Sequence, residues 1–187
     1  VATQTREREF TADWVSWHVA DWTKWLAPWA GKPKVHALAI GCYEGRSDCW
    51  FCDHILTGQG SLLTCVDGWW WEDAFKRWCH NTAGLPVAMW RGPSEKAIPH
   101  LIDSGRRFSF AYVDGGHRPD QVLTDLCMVW QLIEVGGVVI ADDYGWTSPQ
   151  EPVGPKPGID AFLECFKRRI ARHEISSSRE VGIWKQS

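Results

Sequence analysis

The chain has 187 residues, enough for one domain with a sizeable core, and a formal charge of −3 without a basic stripe, which argues against a nucleic-acid partner. No apolar run approaches the ~20 residues that span a bilayer and no signal-peptide pattern opens the chain, so no membrane partner is expected. Seven cysteines, an odd number lying mostly inside apolar patterns, read as reduced thiols and place the protein in the cytoplasm.

Thr11 or Asp13 is read as the cap of a first helix running to about Trp29. Trp14, His18, Trp22, Trp25 and Trp29 fall three or four apart on it, so one face is aromatic. Residues 1–33 are thus a helical segment that packs on the domain, covers a pocket or meets a second copy. Fourteen tryptophans are far above ordinary usage, and large rings serve both cores and pockets for flat ligands.

Val35 to Ile40 reads as a first strand. The glycine turn Gly41-Cys42-Tyr43-Glu44-Gly45-Arg46-Ser47 and a helix to about Leu56 follow, a place where free helix N–H groups meet anions. The G-x-x-x-G spacing does not match a nicotinamide dinucleotide fingerprint. Leu62 to Val66 is a second strand closing on Asp67, where an acid can accept from two ribose hydroxyls or simply start a turn. Trp69-Trp70-Trp71 comes next, then a helix over Glu72–Asn81 and a strand over Val87–Trp90. Gly92-Pro93-Ser94-Glu95 precedes a helix to about Ile102, with Ser94 as its cap.

The most informative stretch runs from Phe108 to Tyr144. An apolar run ends at Asp114, with His117 three residues on; a helical pattern spans Asp120 to Val135; a second apolar run ends at Asp142-Asp143. Strand, helix, strand at this length is a parallel crossover, so Asp114 and Asp142-Asp143 emerge at one edge of the sheet, where open α/β sheets bind ligands. Thr147–Gly158, rich in proline, reads as a loop and a substrate flap. A helix over Ile159–Ala171 and two strands, His173–Ser178 and Val181–Lys185, complete the chain. The expectation is a single α/β domain: a Rossmann-like, doubly wound, mostly parallel sheet with an antiparallel C-terminal hairpin and helices on both faces.

Three carboxylates offer hard oxygen ligands suited to Mg²⁺ or Ca²⁺, and a divalent ion there would acidify a bound hydroxyl. His117 would take the proton. Turn or cap chemistry for Asp142-Asp143 and a surface histidine at 117 are the plainer readings. Cys49-Trp50-Phe51-Cys52 is a C-x-x-C inside a helix, and no second C-x-x-C exists to complete a zinc site.

From about Phe10 to Trp184 the chain resembles the class I S-adenosylmethionine-dependent methyltransferases of the small-molecule O-methyltransferase group, which contains catechol O-methyltransferase and macrocin-type antibiotic methyltransferases. Five motifs carry the resemblance: Ile40 to Ser47, Cys65-Val66-Asp67, Gly92-Pro93-Ser94-Glu95, Tyr112-Val113-Asp114-Gly115-Gly116-His117, and Gly136-Gly137 through Asp142-Asp143-Tyr144. The resemblance implies that Gly41, Tyr43, Gly45 and Ser47 hold the methionine end of S-adenosyl-L-methionine, Asp67 its ribose, and Ser94 and Glu95 its adenine. It implies Mg²⁺ on Asp114, Asp142 and Asp143, with Asp114 also beside the cofactor and His117 as the base. The implied partner is a small hydroxylated acceptor, and a homodimer is possible. In one departure, Ala39 stands where relatives usually carry a glutamate that helps hold the cofactor; Asp114 or Glu44 would compensate, or activity would be lost. A ligand-binding protein that no longer catalyses, and a metal-dependent hydroxylase-like relative, are the alternatives.

Overall fold

The computed structural model describes residues 7–177 and 179–187. Along the chain come α1 (Val19–Leu26), β1 (His36–Ile40), α2 (Arg46–His54), β2 (Leu62–Asp67), α3 (Glu72–Asn81), β3 (Val87–Arg91) and α4 (Ser94–Asp103). Then follow β4 (Phe108–Val113), α5 (Pro119–Leu132), β5 (Ile133–Ala141), α6 (Lys156–Phe166), β6 (Ile170–Ile175) and β7 (Val181–Lys185). The seven strands form one sheet in the order β3-β2-β1-β4-β5-β7-β6. β1 to β5 pair in parallel, and β7 runs antiparallel between β5 and β6.

Side chains alternate across a strand, and here both faces are buried. Ala37, Ala39, Leu63, Cys65, Phe110 and Tyr112 face a core closed by Trp22, Trp25 and Leu26 of α1, Phe51 of α2 and Trp78 of α3. Leu38, Ile40, Val66, Ala111 and Val113 face the other, closed by Ile98 of α4, Leu126 and Trp130 of α5 and Phe162 of α6.

Several boundaries differ from the sequence reading. Asp13 does cap, accepting from the Val15 and Ser16 amides at 3.1 and 3.0 Å, but it caps a turn, and the regular helix starts only at Val19. The aromatic stripe therefore divides: Trp22 and Trp25 are core, while Trp14, like the neighbouring Trp17, stands more than half exposed. Pro93, in extended conformation, holds the N-cap position of α4, and Ser94 is its first helical residue. α5 gives way to strand at Ile133, before Val135, where the β4–β5 register shifts. α6 starts at Lys156 because Pro157 fits a first helical turn. The following strand accordingly begins at Ile170 rather than His173; Ser178 lies outside the described residues. No helix among the described residues is long and apolar enough to cross a membrane.

Candidate active site

Three backbone bonds continue the sheet ladder one residue past the strand ends: Gly41 N–H to Val66 at 2.9 Å, Asp114 N–H to Ile40 at 2.8 Å and Asp142 N–H to Val113 at 3.0 Å. They fix Gly41, Asp114 and Asp142 at one edge, as the crossover argument requires. Tyr43, Trp69 and Asp143, all near this edge, hold positive φ of 47°, 40° and 60°. Such conformations cost ~1–3 kcal/mol each in non-glycine residues and gather at ligand sites.

At one end of the edge, Asp67 organises the glycine turn. Its Oδ2 accepts from the Cys42 and Tyr43 amides at 2.7 and 2.9 Å, and its Oδ1 from the Trp69 amide at 2.5 Å. Trp69 Nε1–H donates to the Tyr43 carbonyl at 2.8 Å. Gly41 is required by the chain itself: at φ 81°, a Cβ there would sit 1.8 Å from the Asp114 carbonyl oxygen. Ser47 opens α2 and is buried; Ser94 and Glu95 open α4 across the cleft. Ala39 is wholly buried between Cys65 and Tyr112. Glu44 does not replace the missing carboxylate, because it accepts from the Thr11 amide at 2.7 Å and hydroxyl at 2.9 Å and pairs with Arg77 at 3.3 Å.

At the other end, single ligand atoms of Asp114, His117 and Asp143 lie within 4.8 Å of one another. His117 Nε2 is 2.9 Å from Asp143 Oδ2 and 3.9 Å from Asp114 Oδ1, and its ring stands 4.4 Å from that of Trp146. The hydrogen bond that His117 donates to Asp143, then the Asp143 charge, hold the His117 pKa above the ordinary value against burial. The Asp142 carboxylate does not join this group. It accepts from the Tyr112 hydroxyl, which is also 3.2 Å from Asp114 Oδ2, and from the Asp143 amide at 2.7 Å. It groups instead with His18 and Glu180. His18 Nε2 is 3.9 Å from Asp142 Oδ2 and its Nδ1 is 3.1 Å from Glu180 Oε2, while Trp22 Nε1–H donates to Glu180 Oε1 at 2.7 Å. Burial, then the neighbouring Asp142 and Asp143 charges, push the Asp114 pKa far up; burial lifts Asp142 and takes Glu180 to about 7.

Tyr112, His18 and Glu180 were missed by sequence reasoning. Tyr112 had a signal: two residues before Asp114, it leaves β4 on the same side. His18 and Glu180 come from opposite ends of the chain and had none.

Both ends open into one cleft of about 1180 Å³. The tryptophan excess resolves here: Trp14, Trp17, Trp70 and Trp71, the most exposed rings, all line it. So does Trp146, whereas residues 147–158 do not line it.

A doubly wound sheet with this strand order and an acid-ringed cleft at its carboxyl edge defines the class. The family model described as "Methyltransferase domain" matches residues 38–144, and the chain belongs to that family. No curated protein matches the chain. Among solved structures, an O-methyltransferase from Bacillus cereus in complex with SAH is similar at 16% identity and a TM-score of 0.67, over 97% of this chain and 84% of that one. MycE from the mycinamycin biosynthetic pathway, in complex with Mg, SAH and mycinamycin VI, is similar at 14% and 0.68, over 94% of this chain and 51% of that one. A putative rRNA-methylase from Clostridium thermocellum is similar at 14% and 0.70, over 95% and 99%. At these identities the likeness is one of fold.

Proposed function

We propose that the chain is an S-adenosylmethionine-dependent, Mg²⁺-dependent O-methyltransferase acting on a hydroxyl of a small molecule. One observation carries the reading: a single cleft joins the Asp67-clamped glycine turn to a group of two carboxylates and an imidazole. Its volume exceeds the ~300–1,000 Å³ of a pocket for one drug-sized ligand and leaves room for cofactor and acceptor together.

In this reading Gly41, Tyr43 and Ser47 take the methionine end, Gly45, which faces Trp78 rather than the cleft, shapes the turn, Asp67 offers its remaining lone pairs to the ribose, and Ser94 and Glu95 meet the adenine. With Ala39 apolar and Glu44 engaged elsewhere, Asp114 is the acid left to face the sulfonium. The donor set suits a hard cation: burial, then the neighbouring Asp142 and Asp143 charges, raise the Asp114 pKa, and a divalent ion offsets both. When bound, the ion supplies the positive charge that acidifies a hydroxyl. Asp114 and Asp143 would hold it, and Asp142, whose oxygens accept from Tyr112 and the Asp143 amide, would join through its remaining lone pairs. Asp143 orients the His117 ring through Nε2, leaving Nδ1 to accept the hydroxyl proton. Trp146 against that ring limits its swing, and the exposed Trp14 and Trp17 offer apolar faces to an aromatic or sugar-bearing acceptor. The remainder of the rate comes from holding two reactants in line.

The net charge of −3 favours a small acceptor over RNA. Ala39 motivates a second reading, a protein that binds the nucleoside without turnover. Calorimetric titration with S-adenosylmethionine, with and without Mg²⁺, followed by a catechol and sugar acceptor panel, separates the two. Micromolar binding with Mg²⁺-dependent methyl transfer supports the enzyme; binding without turnover across the panel supports the second reading; no binding overturns both.

A further inference from the structure

We propose that Cys42, Asp48 and Cys65 form a second metal site, for a thiophilic cation of the Zn²⁺ class, beneath the floor of the cleft. One ligand atom from each lies within 4.8 Å of the other two. Three elements supply them: Cys42 from the turn after β1, Asp48 from the first turn of α2, and Cys65 from β2. The residues are 3%, 0% and 0% exposed. A fully buried carboxylate needs partners for both oxygens. Trp78 Nε1–H serves Asp48 Oδ2 at 2.6 Å, whereas Asp48 Oδ1 has no conventional hydrogen-bond partner and the carboxylate is otherwise met only by the weakly donating Cys42 and Cys65 thiols.

The ligand set selects the metal. Two sulfurs and one carboxylate oxygen suit Zn²⁺ or Cd²⁺, and the all-oxygen preference of Mg²⁺ excludes it. Zn–S and Zn–O bonds of ~2.3 and ~2.0–2.2 Å put tetrahedral ligand atoms ~3.5–4 Å apart, so the site closes on its ion by at most roughly 1.3 Å. The fourth position falls to water or to a carbonyl such as that of Ala39, whose oxygen is 3.8 Å from Cys42 Sγ. Cys42 lines the cleft and gives the ion its way in. Burial raises Cys65 to about 12 and Asp48 to about 6, so at neutral pH the metal-free thiols keep their protons, loading expels them, and binding weakens in acid. A bound ion would tie the cofactor turn to α2 and β2. The C-x-x-C pair Cys49 and Cys52 belongs to no such group among the described residues.

The test uses the full chain with its exposed thiols removed, C79S/C165S, freed of metal by chelator and titrated with Cd²⁺ at neutral pH. The ultraviolet thiolate-to-cadmium charge-transfer band reports sulfur ligation, and Cd²⁺ on the rim carboxylates gives no such band. One equivalent per chain is expected. The band should be lost in C42S/C65S, kept in C49S/C52S, and reached in the isosteric D48N variant only at tenfold or more higher Cd²⁺. If C42S/C65S does not fold, D48N decides alone. No band, a band that follows Cys49 and Cys52, or an unchanged affinity in D48N overturns the site.

Discussion

The Tyr112 hydroxyl donates to the Asp142 carboxylate and lies beside Asp114, so one phenol joins the tips of two neighbouring strands. Tyr112 is buried, and burial pushes its own pKa far up, so it stays a donor at any working pH. The bond and the Asp143 amide engage both Asp142 oxygens, and Asp142 lies outside the Asp114, His117 and Asp143 group. Partners of this kind typically set metal affinity by 10- to 100-fold. Tyr112→Phe is predicted to change Mn²⁺ affinity at least tenfold, read by electron paramagnetic resonance, while S-adenosylhomocysteine affinity stays within twofold.

His117→Ala should lower the methyl-transfer rate by roughly 10²–10⁴, the range for a general base, and leave cofactor affinity unchanged. Asp143→Asn weakens the hold on the ring as well as the metal, so it should affect both rate and ion binding. Single-turnover rates with calorimetry on the same samples check the pair.

Asp67 has a structural task before any ligand arrives: three backbone amides donate to it. Charge-assisted bonds contribute ~1.5–3 kcal/mol each when buried, and Asp67 is only half-buried. Asp67→Ala is therefore expected to lower unfolding free energy by about 2 kcal/mol in urea melts and to weaken nucleoside binding more than tenfold. A loss of stability with unaltered affinity would leave Asp67 as a clamp alone.

Asp125 of α5 gives the clearest pH signature. Burial raises its pKa to about 6, opposed by a hydrogen bond from Ser94. A folded pKa above the unfolded value means the native state holds the proton longer, so stability falls as pH rises from about 4 to about 6 and the loss then stays constant. The shift corresponds to at most about 3 kcal/mol. Asp125→Asn keeps an acceptor for Ser94 and should flatten that part of the stability profile in urea titrations.

Most of the fold was legible because parallel, doubly buried strands are short apolar runs with clear ends, and their ends carried the site. Asp114 and His117 are three residues apart and Asp143 follows one crossover later, so local pattern and one topological rule brought them together. What escaped was set by distant packing. The stripe from Trp14 to Trp29 has helical spacing, yet Trp14 stands exposed while His18, Trp22 and Trp25 are buried and Trp29 packs against the core. The surroundings of Asp142 depend on Tyr112, His18 and Glu180, which come from three separate stretches of the chain. Likewise the buried thiols that meet, Cys42 and Cys65, share no motif spacing, whereas Cys49 and Cys52 share one and join no group.

The most direct test is a crystal structure with S-adenosylhomocysteine and Mn²⁺ bound, using the manganese anomalous signal to locate the ion. The account predicts a single strong peak between Asp114 and Asp143, with the ribose on Asp67 and the sulfur facing the ion. An anomalous peak elsewhere, or a nucleoside bound outside the cleft between Asp67 and Asp114, would contradict it.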